Sequence, residues 1–166
     1  MMRIVVVGLG SELMGDDAAG LRVIDLLSEK TGFCGVDFKK CFSTGFEVME
    51  SIEGYDKAII VDSVCTGLHR KGEIVNIEHG QIKYSKRISS FHDFDLMTSV
   101  ELGRRLNLKV PSDIKIYGIE IEEVTEFHNG LSREVNDAVE LLASKIYEEI
   151  QNVCKGGNRL KEMEVT

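Results

Sequence analysis

The chain has 166 residues, 43% of them hydrophobic and 29% charged, which is the make-up of an ordinary globular domain. A chain of this length buries roughly two thirds of the surface that it exposes when unfolded, so it folds without disulfides or a structural metal. Its net charge of −8 argues against a nucleic-acid role, because phosphate binding needs a basic patch and the sequence shows none.

The first element in chain order is a strand, Ile4 to Val7, a β-branched run closed by Gly8. Its opening run MMRIVVVGLG is too short to span a membrane, carries no small-residue cleavage site and leads straight into structured sequence. Membrane attachment and export are therefore not expected, and the cytoplasm is the expected compartment. Asp16 and Asp17 open a helical stretch with Leu21, Ile24 and Leu27 on one face, where carboxylates suit a helix start. After Gly32 and Gly35 comes a second strand, Val36 to Phe42, then a short helix from about Phe46 to Ile52. Lys57 to Asp62 reads as another strand buried on both faces, and Glu73 to Glu78 as a half-exposed or edge strand. The polar stretch from Gly80 to Phe91 carries no clear pattern.

Asp93 to Leu106 is helical in phase, through Phe94, Met97, Val100 or Glu101, and Leu106. Asp113 to Ile121 is a strand. Ser132 is placed to cap a last helix whose Val135, Ala138 or Val139, Leu142, Ile146 and Ile150 form one stripe. The alternation of strands and helices predicts a single three-layer α/β domain over residues 1–154. Its sheet is mostly parallel, of about five strands, with helices on both faces. Residues 155–166 read as a charged, fraying tail. Cys34, Cys41, Cys65 and Cys154 show neither CxxC spacing nor a His at zinc-finger distance and read as reduced thiols, mostly small apolar filler.

Open α/β sheets carry their sites at the carboxyl ends of the strands. That rule selects the loop with Asp16 and Asp17 after the first strand, Asp62 at the end of the third, and His92 at a helix start. Two carboxylates and one imidazole at a single rim form a mixed oxygen and nitrogen ligand set for a divalent metal, with positions left for substrate. Each residue also has a plain structural reading: Asp17 as a helix cap, Asp62 as a turn acceptor, His92 as an ordinary helix-start residue. Gly8-Leu9-Gly10 suggests a dinucleotide loop, but Leu13 stands where the third glycine belongs and Gly15 comes two positions late. No GxxxxGK[ST], GxSxG or paired Cys–His pattern appears. His69, His79 and His128 sit in polar segments and are read as exposed.

The segment VVVGLGSELMGDDAAGLRVIDLL resembles the amino-terminal signature of the hydrogenase maturation proteases, roughly G-x-G-N-x-L-x-x-D-[DE]-x-x-G. AIIVDSV resembles that family's strand ending in aspartate, and SSFHDFDL the segment with its histidine. YGIEIEEVTEFHNGLSREVNDAV is similar to the closing strand, loop and helix. Ser11 stands where the family usually has Asn, and Lys40 to Gly45 departs from its D-G-G-T-x-G loop.

The resemblance implies an endopeptidase that removes a short carboxy-terminal peptide from the nickel-loaded large-subunit precursor of a nickel–iron hydrogenase. It implies Asp17, Asp62 and His92 as the metal-binding trio. The divalent metal is then nickel presented by the precursor, with no permanent cofactor. Held there, a metal polarises a scissile carbonyl or acidifies a water. Asp16 beside the trio is expected to orient the helix start or act as a base. Gly8 and Gly10 are expected to let the backbone approach substrate and offer N–H donors to an oxyanion. Two other classes stay open: a non-catalytic metal-checking chaperone of the precursor, and a nucleotide-binding domain using the glycine loop.

Overall fold

A computed structural model describes residues 2–30, 35–42, 45–77 and 91–163, without the side chains of 45, 91–97 and 155–163. The chain begins with β1 (Ile4–Leu9), a 3-10 turn (Gly15–Ala18) and α1 (Ala19–Ser28). Next come β2 (Val36–Cys41), α2 (Gly45–Ile52), β3 (Lys57–Val64) and β4 (Ile74–Ile77). It ends with α3 (Phe91–Arg105), β5 (Asp113–Glu120) and α4 (Arg133–Met163). The five strands lie in the order β2-β1-β3-β5-β4, all parallel except β4, which runs antiparallel to β5 at the edge. This is the single α/β domain with a mostly parallel sheet that the sequence predicts. Among the described residues, no helix is long and apolar enough to cross a membrane.

Strand periodicity divides the core in two. Val6, Ile59, Val61, Tyr117 and Ile119 join α1 and the stripe Val135, Val139, Leu142, Ile146 and Ile150 of α4 on one face. Val5, Val7, Ala58, Ile60 and Ile116 join Val48 and Ile52 of α2, and Val100 of α3, on the other. The stripe predicted for the last helix and the Leu21, Ile24 and Leu27 face of α1 are both buried.

Several boundaries differ from the sequence reading. β1 continues through Gly8 to Leu9 instead of closing at Gly8. There the missing side chain lets α1 cross the strand, and a Cβ on Gly8 would lie 2.5 Å from Ile24 Cγ1. β3 continues past Asp62 to Val64 because β5 still pairs with it, Asp62 opposite Gly118 and Val64 opposite Glu120, after β1 has ended its pairing at Val61. α3 starts at Phe91, so His92 lies in its first turn, and it stops at Arg105, which leaves Leu106 59% exposed rather than in the core. α4 runs through Gly156 and Gly157 to Met163, beyond the Lys155 at which the sequence places a tail. Glu78, His79, Cys34 and the stretch 78–90 lie outside the described residues, as do the side chains of Phe94 and Met97. Cys41, Cys65 and Cys154 are thiols; Cys41 is buried beside Ser51, and burial raises its pKa.

Candidate active site at the carboxyl edge of the sheet

β1 is followed by α1 to β2 on one side, whereas β3 lies on its other side. The carboxyl ends of β1 and β3 therefore flank the point where the connections diverge, the place where open α/β sheets leave a crevice. β3 outruns β1 here, so Asp62, Ser63 and Val64 extend beyond the last β1 pairing at Gly8–Val61.

The loop after β1 brings Asp17 to the same edge. Gly10 has φ 143°, and a Cβ there would collide with the main-chain oxygen of Asp17, so only glycine lets the loop fold back this closely. Gly8 and Gly10 thus admit the protein's own backbone at Gly20 and Asp17. Neither the 3-10 turn nor α1 has a side-chain cap, so Asp17 is not a helix cap. Its half-buried carboxylate turns to two other partners. Ser63 Oγ donates to Oδ1 at 2.7 Å and Ser11 N–H to Oδ2 at 3.0 Å.

Asp62 is 4% exposed, and its Oδ1 accepts the Ser63 N–H at 2.8 Å. Ser63 therefore touches both carboxylates. By alternation Asp62 belongs with Ala58 and Ile60, on the sheet face that α2 and α3 cover. His92 lies in the first turn of α3, the helix that precedes β5. The His92 side chain lies outside the described residues. Among the described residues no three His, Cys, Asp or Glu side chains group closely enough to hold a metal ion. The described part of the trio is the pair Asp17 and Asp62.

Asp16 behaves differently from its neighbour. It is 9% exposed and accepts the Ser132 N–H at 2.6 Å on Oδ1 and the Ser132 hydroxyl at 2.9 Å on Oδ2. Lys71 lies 3.4 Å from the same carboxylate and 3.6 Å from Glu122. Burial alone would lower the Lys71 pKa, but Asp16, Glu122 and Glu134 hold it above its usual value. Ser132 directly precedes α4, and its hydroxyl donates to Asp16. An open cleft of about 310 Å³ beside this contact is lined by Gly15, Asp16, Lys71, Glu122 and His128, while Asp17 and Asp62 are not on its wall.

Two groups at this edge escaped the sequence reading. Ser63 has no signal beyond following Asp62. Glu120 had one: a carboxylate between Ile119 and Ile121 in an apolar strand. It is 2% exposed and accepts Thr66 N–H and Gly67 N–H, each at 2.8 Å, and the Thr66 hydroxyl at 2.7 Å. It thereby fastens the turn that leaves β3. His69 and His128 are exposed, as expected; His69 pairs with Glu73 at 2.9 Å, and the His128 carbonyl accepts Gly15 N–H at 2.7 Å.

A family model of hydrogenase maturation proteases (HycI) matches residues 22–149, a span that includes Asp62 and His92 and begins after Asp17. The hydrogenase 2 maturation protease of Escherichia coli K12 is 25% identical over 144 residues, which cover 84% of this chain and 85% of that protein. The [NiFe] hydrogenase maturation protease HybD from Thermococcus kodakarensis superposes with a TM-score of 0.69 at 28% identity, over 90% of this chain and 99% of that one. The hydrogenase maturating endopeptidase HybD from E. coli superposes with a TM-score of 0.78 over 92% of this chain and 94% of that one; at 22% identity the likeness is one of fold.

Proposed function

The chain belongs to the hydrogenase maturation protease family and is a peptidase; we propose that it cuts a short carboxy-terminal peptide from the nickel-loaded precursor of a nickel–iron hydrogenase large subunit. In this reading Asp17, Asp62 and His92 recognise the nickel, which arrives with the substrate. The observation that carries it is the juxtaposition of Asp17 and Asp62 through Ser63 at the crevice between β1 and β3.

The donor chemistry fits. Carboxylate oxygens and an imidazole suit a borderline divalent cation, and the two Asp side chains come from different elements, the 3-10 turn and β3, linked through Ser63. A metal at this position supplies a Lewis acid next to the peptide to be cut. The chain's own residues supply the rest. Asp17 and Asp62 offer two carboxylate donors, with Asp17 fixed at both oxygens before any substrate arrives. Such pre-arrangement lowers the ordering cost of gripping the precursor. Asp16 is engaged by Ser132 and Lys71, so we assign it to holding the Asp17 loop against α4 and not to proton transfer.

The test is intact mass spectrometry of a nickel-loaded large-subunit precursor from the same source, incubated with this protein or with its Asp62→Asn form. Loss of a short carboxy-terminal peptide with the parent alone supports the reading, and the variant should cleave at least about a hundredfold more slowly while melting normally. An unchanged precursor mass with intact binding would instead favour a metal-checking chaperone.

A further inference from the structure

Ser63 is 4% exposed, near the end of β3, and it bonds to both candidate carboxylates. Its N–H goes to Asp62 Oδ1 at 2.8 Å and its hydroxyl to Asp17 Oδ1 at 2.7 Å, joining residues 46 positions apart. Its backbone is fixed by the sheet, paired opposite Ile119 of β5. The hydroxyl has a single proton, and that proton is spent on Asp17. The other Asp17 oxygen is held by the Ser11 N–H at 3.0 Å. Without the Ser63 hydroxyl, Asp17 keeps one tether and its side chain regains torsional freedom.

We infer that Ser63 is a positioning residue, which locks Asp17 and Asp62 into one rigid two-carboxylate unit before the metal of the substrate reaches them. This rests on the metal-recognition reading above. Donors to a ligating carboxylate fix its direction, and their loss typically lowers metal affinity or activity about 10- to 100-fold. A serine needed only for packing would tolerate any substitution that conserves volume; a positioning serine needs the hydroxyl.

Two variants of the full chain separate these roles. Ser63→Ala removes the hydroxyl, and Ser63→Thr keeps it on a β-branched side chain that suits a strand. In Ni2+ titrations of the purified protein, Ser63→Ala should bind about 10- to 100-fold more weakly, and on nickel-loaded precursor its kcat/KM should fall by a similar factor, because the metal belongs to the substrate. Ser63→Thr should restore both. In the metal-free protein, Ser63→Ala should also speed amide exchange at Ser11, because the acceptor of that N–H is loosened. Parent-like Ni2+ affinity and kcat/KM in Ser63→Ala overturn the inference, and so does an equal loss in Ser63→Thr. A parent that neither binds Ni2+ nor cleaves precursor defeats the metal-recognition reading, and Ser11 exchange then decides alone whether Ser63 holds Asp17.

Discussion

Asp16 and Ser132 stand 116 residues apart in sequence, yet both oxygens of the aspartate are bonded to the serine, at 2.6 Å to its N–H and 2.9 Å to its hydroxyl. This one contact ties the loop after β1 to the start of α4, and the next residue in that loop is Asp17. Adjacent acids thus have separate tasks: one fastens the loop and the other faces the crevice.

Replacing Asp16 by Ala leaves the half-buried Ser132 donors without their acceptor and removes the Lys71 ion pair. Hydrogen bonds to a charged group are worth about 1.5–3 kcal/mol each way of counting, so urea unfolding of Asp16→Ala should show a loss of that order. Asp62→Asn should show far less. A stable, inactive Asp16→Ala protein would instead put Asp16 in the chemistry.

Glu120 offers a graded test. Glu120→Gln keeps one oxygen acceptor, whereas Glu120→Ala strands Thr66 N–H, Gly67 N–H and the Thr66 hydroxyl. The alanine variant should lose about 3 kcal/mol or more, because several bonds to a buried carboxylate go at once. The glutamine variant should fall in between, as read by chemical denaturation.

Gly20 is where α1 touches the strands beneath the site. A Cβ there would run into the carbonyl oxygens of Leu9 and Val61 and lie 2.9 Å from Leu9 N, all main-chain atoms that cannot rotate away. Gly20→Ala should therefore destabilise the fold by about 1–3 kcal/mol, the usual cost of overpacking, despite alanine's better helix propensity. An unchanged or raised melting temperature would show that α1 can lift off the sheet at no cost.

At the opposite end of the strands, Lys57, Lys115 and Tyr117 converge on Glu149 of α4 at 3.0–3.1 Å. Burial pushes the Glu149 pKa up, but hydrogen bonds from Lys115, Lys57 and Tyr117 outweigh it and hold the carboxyl below its usual value. A depressed carboxylate stabilises the fold above its unfolded pKa, about 4.3, and that stability is lost as pH falls through the lower folded value. Glu149→Gln should thus be less stable than the parent at neutral pH, with the difference shrinking below about pH 4. Denaturation midpoints across pH check this; a constant difference would mean that charge is not the cause.

Much of this was legible in the residues. β-branched runs such as Val5-Val6-Val7 and Ala58-Ile59-Ile60-Val61 identify strands buried on both faces, because only a sheet covered by helices on each side can hide every side chain. The α4 stripe was equally plain, since period 3.6 is a local property. Asp17 and Asp62 stood out as acids near strand ends, and the end of β3 falls two residues beyond the Asp62 read from the sequence because strand length depends on the neighbour. β5 prolongs β3 after β1 has stopped, and no local pattern encodes that.

By itself, then, the sequence determined the two-sided sheet, the order of its elements and the acids available at its edge. These follow from side-chain shape and periodicity along the chain. Only the tertiary structure decided which acid does what. Asp16 and Asp17 are neighbours of like chemistry, and they part company because Ser132, from the start of α4, claims one while Ser63, from β3, claims the other. A hydrogen bond acts over about 3 Å, so a carboxylate's role is set by whichever donor the fold brings within that reach.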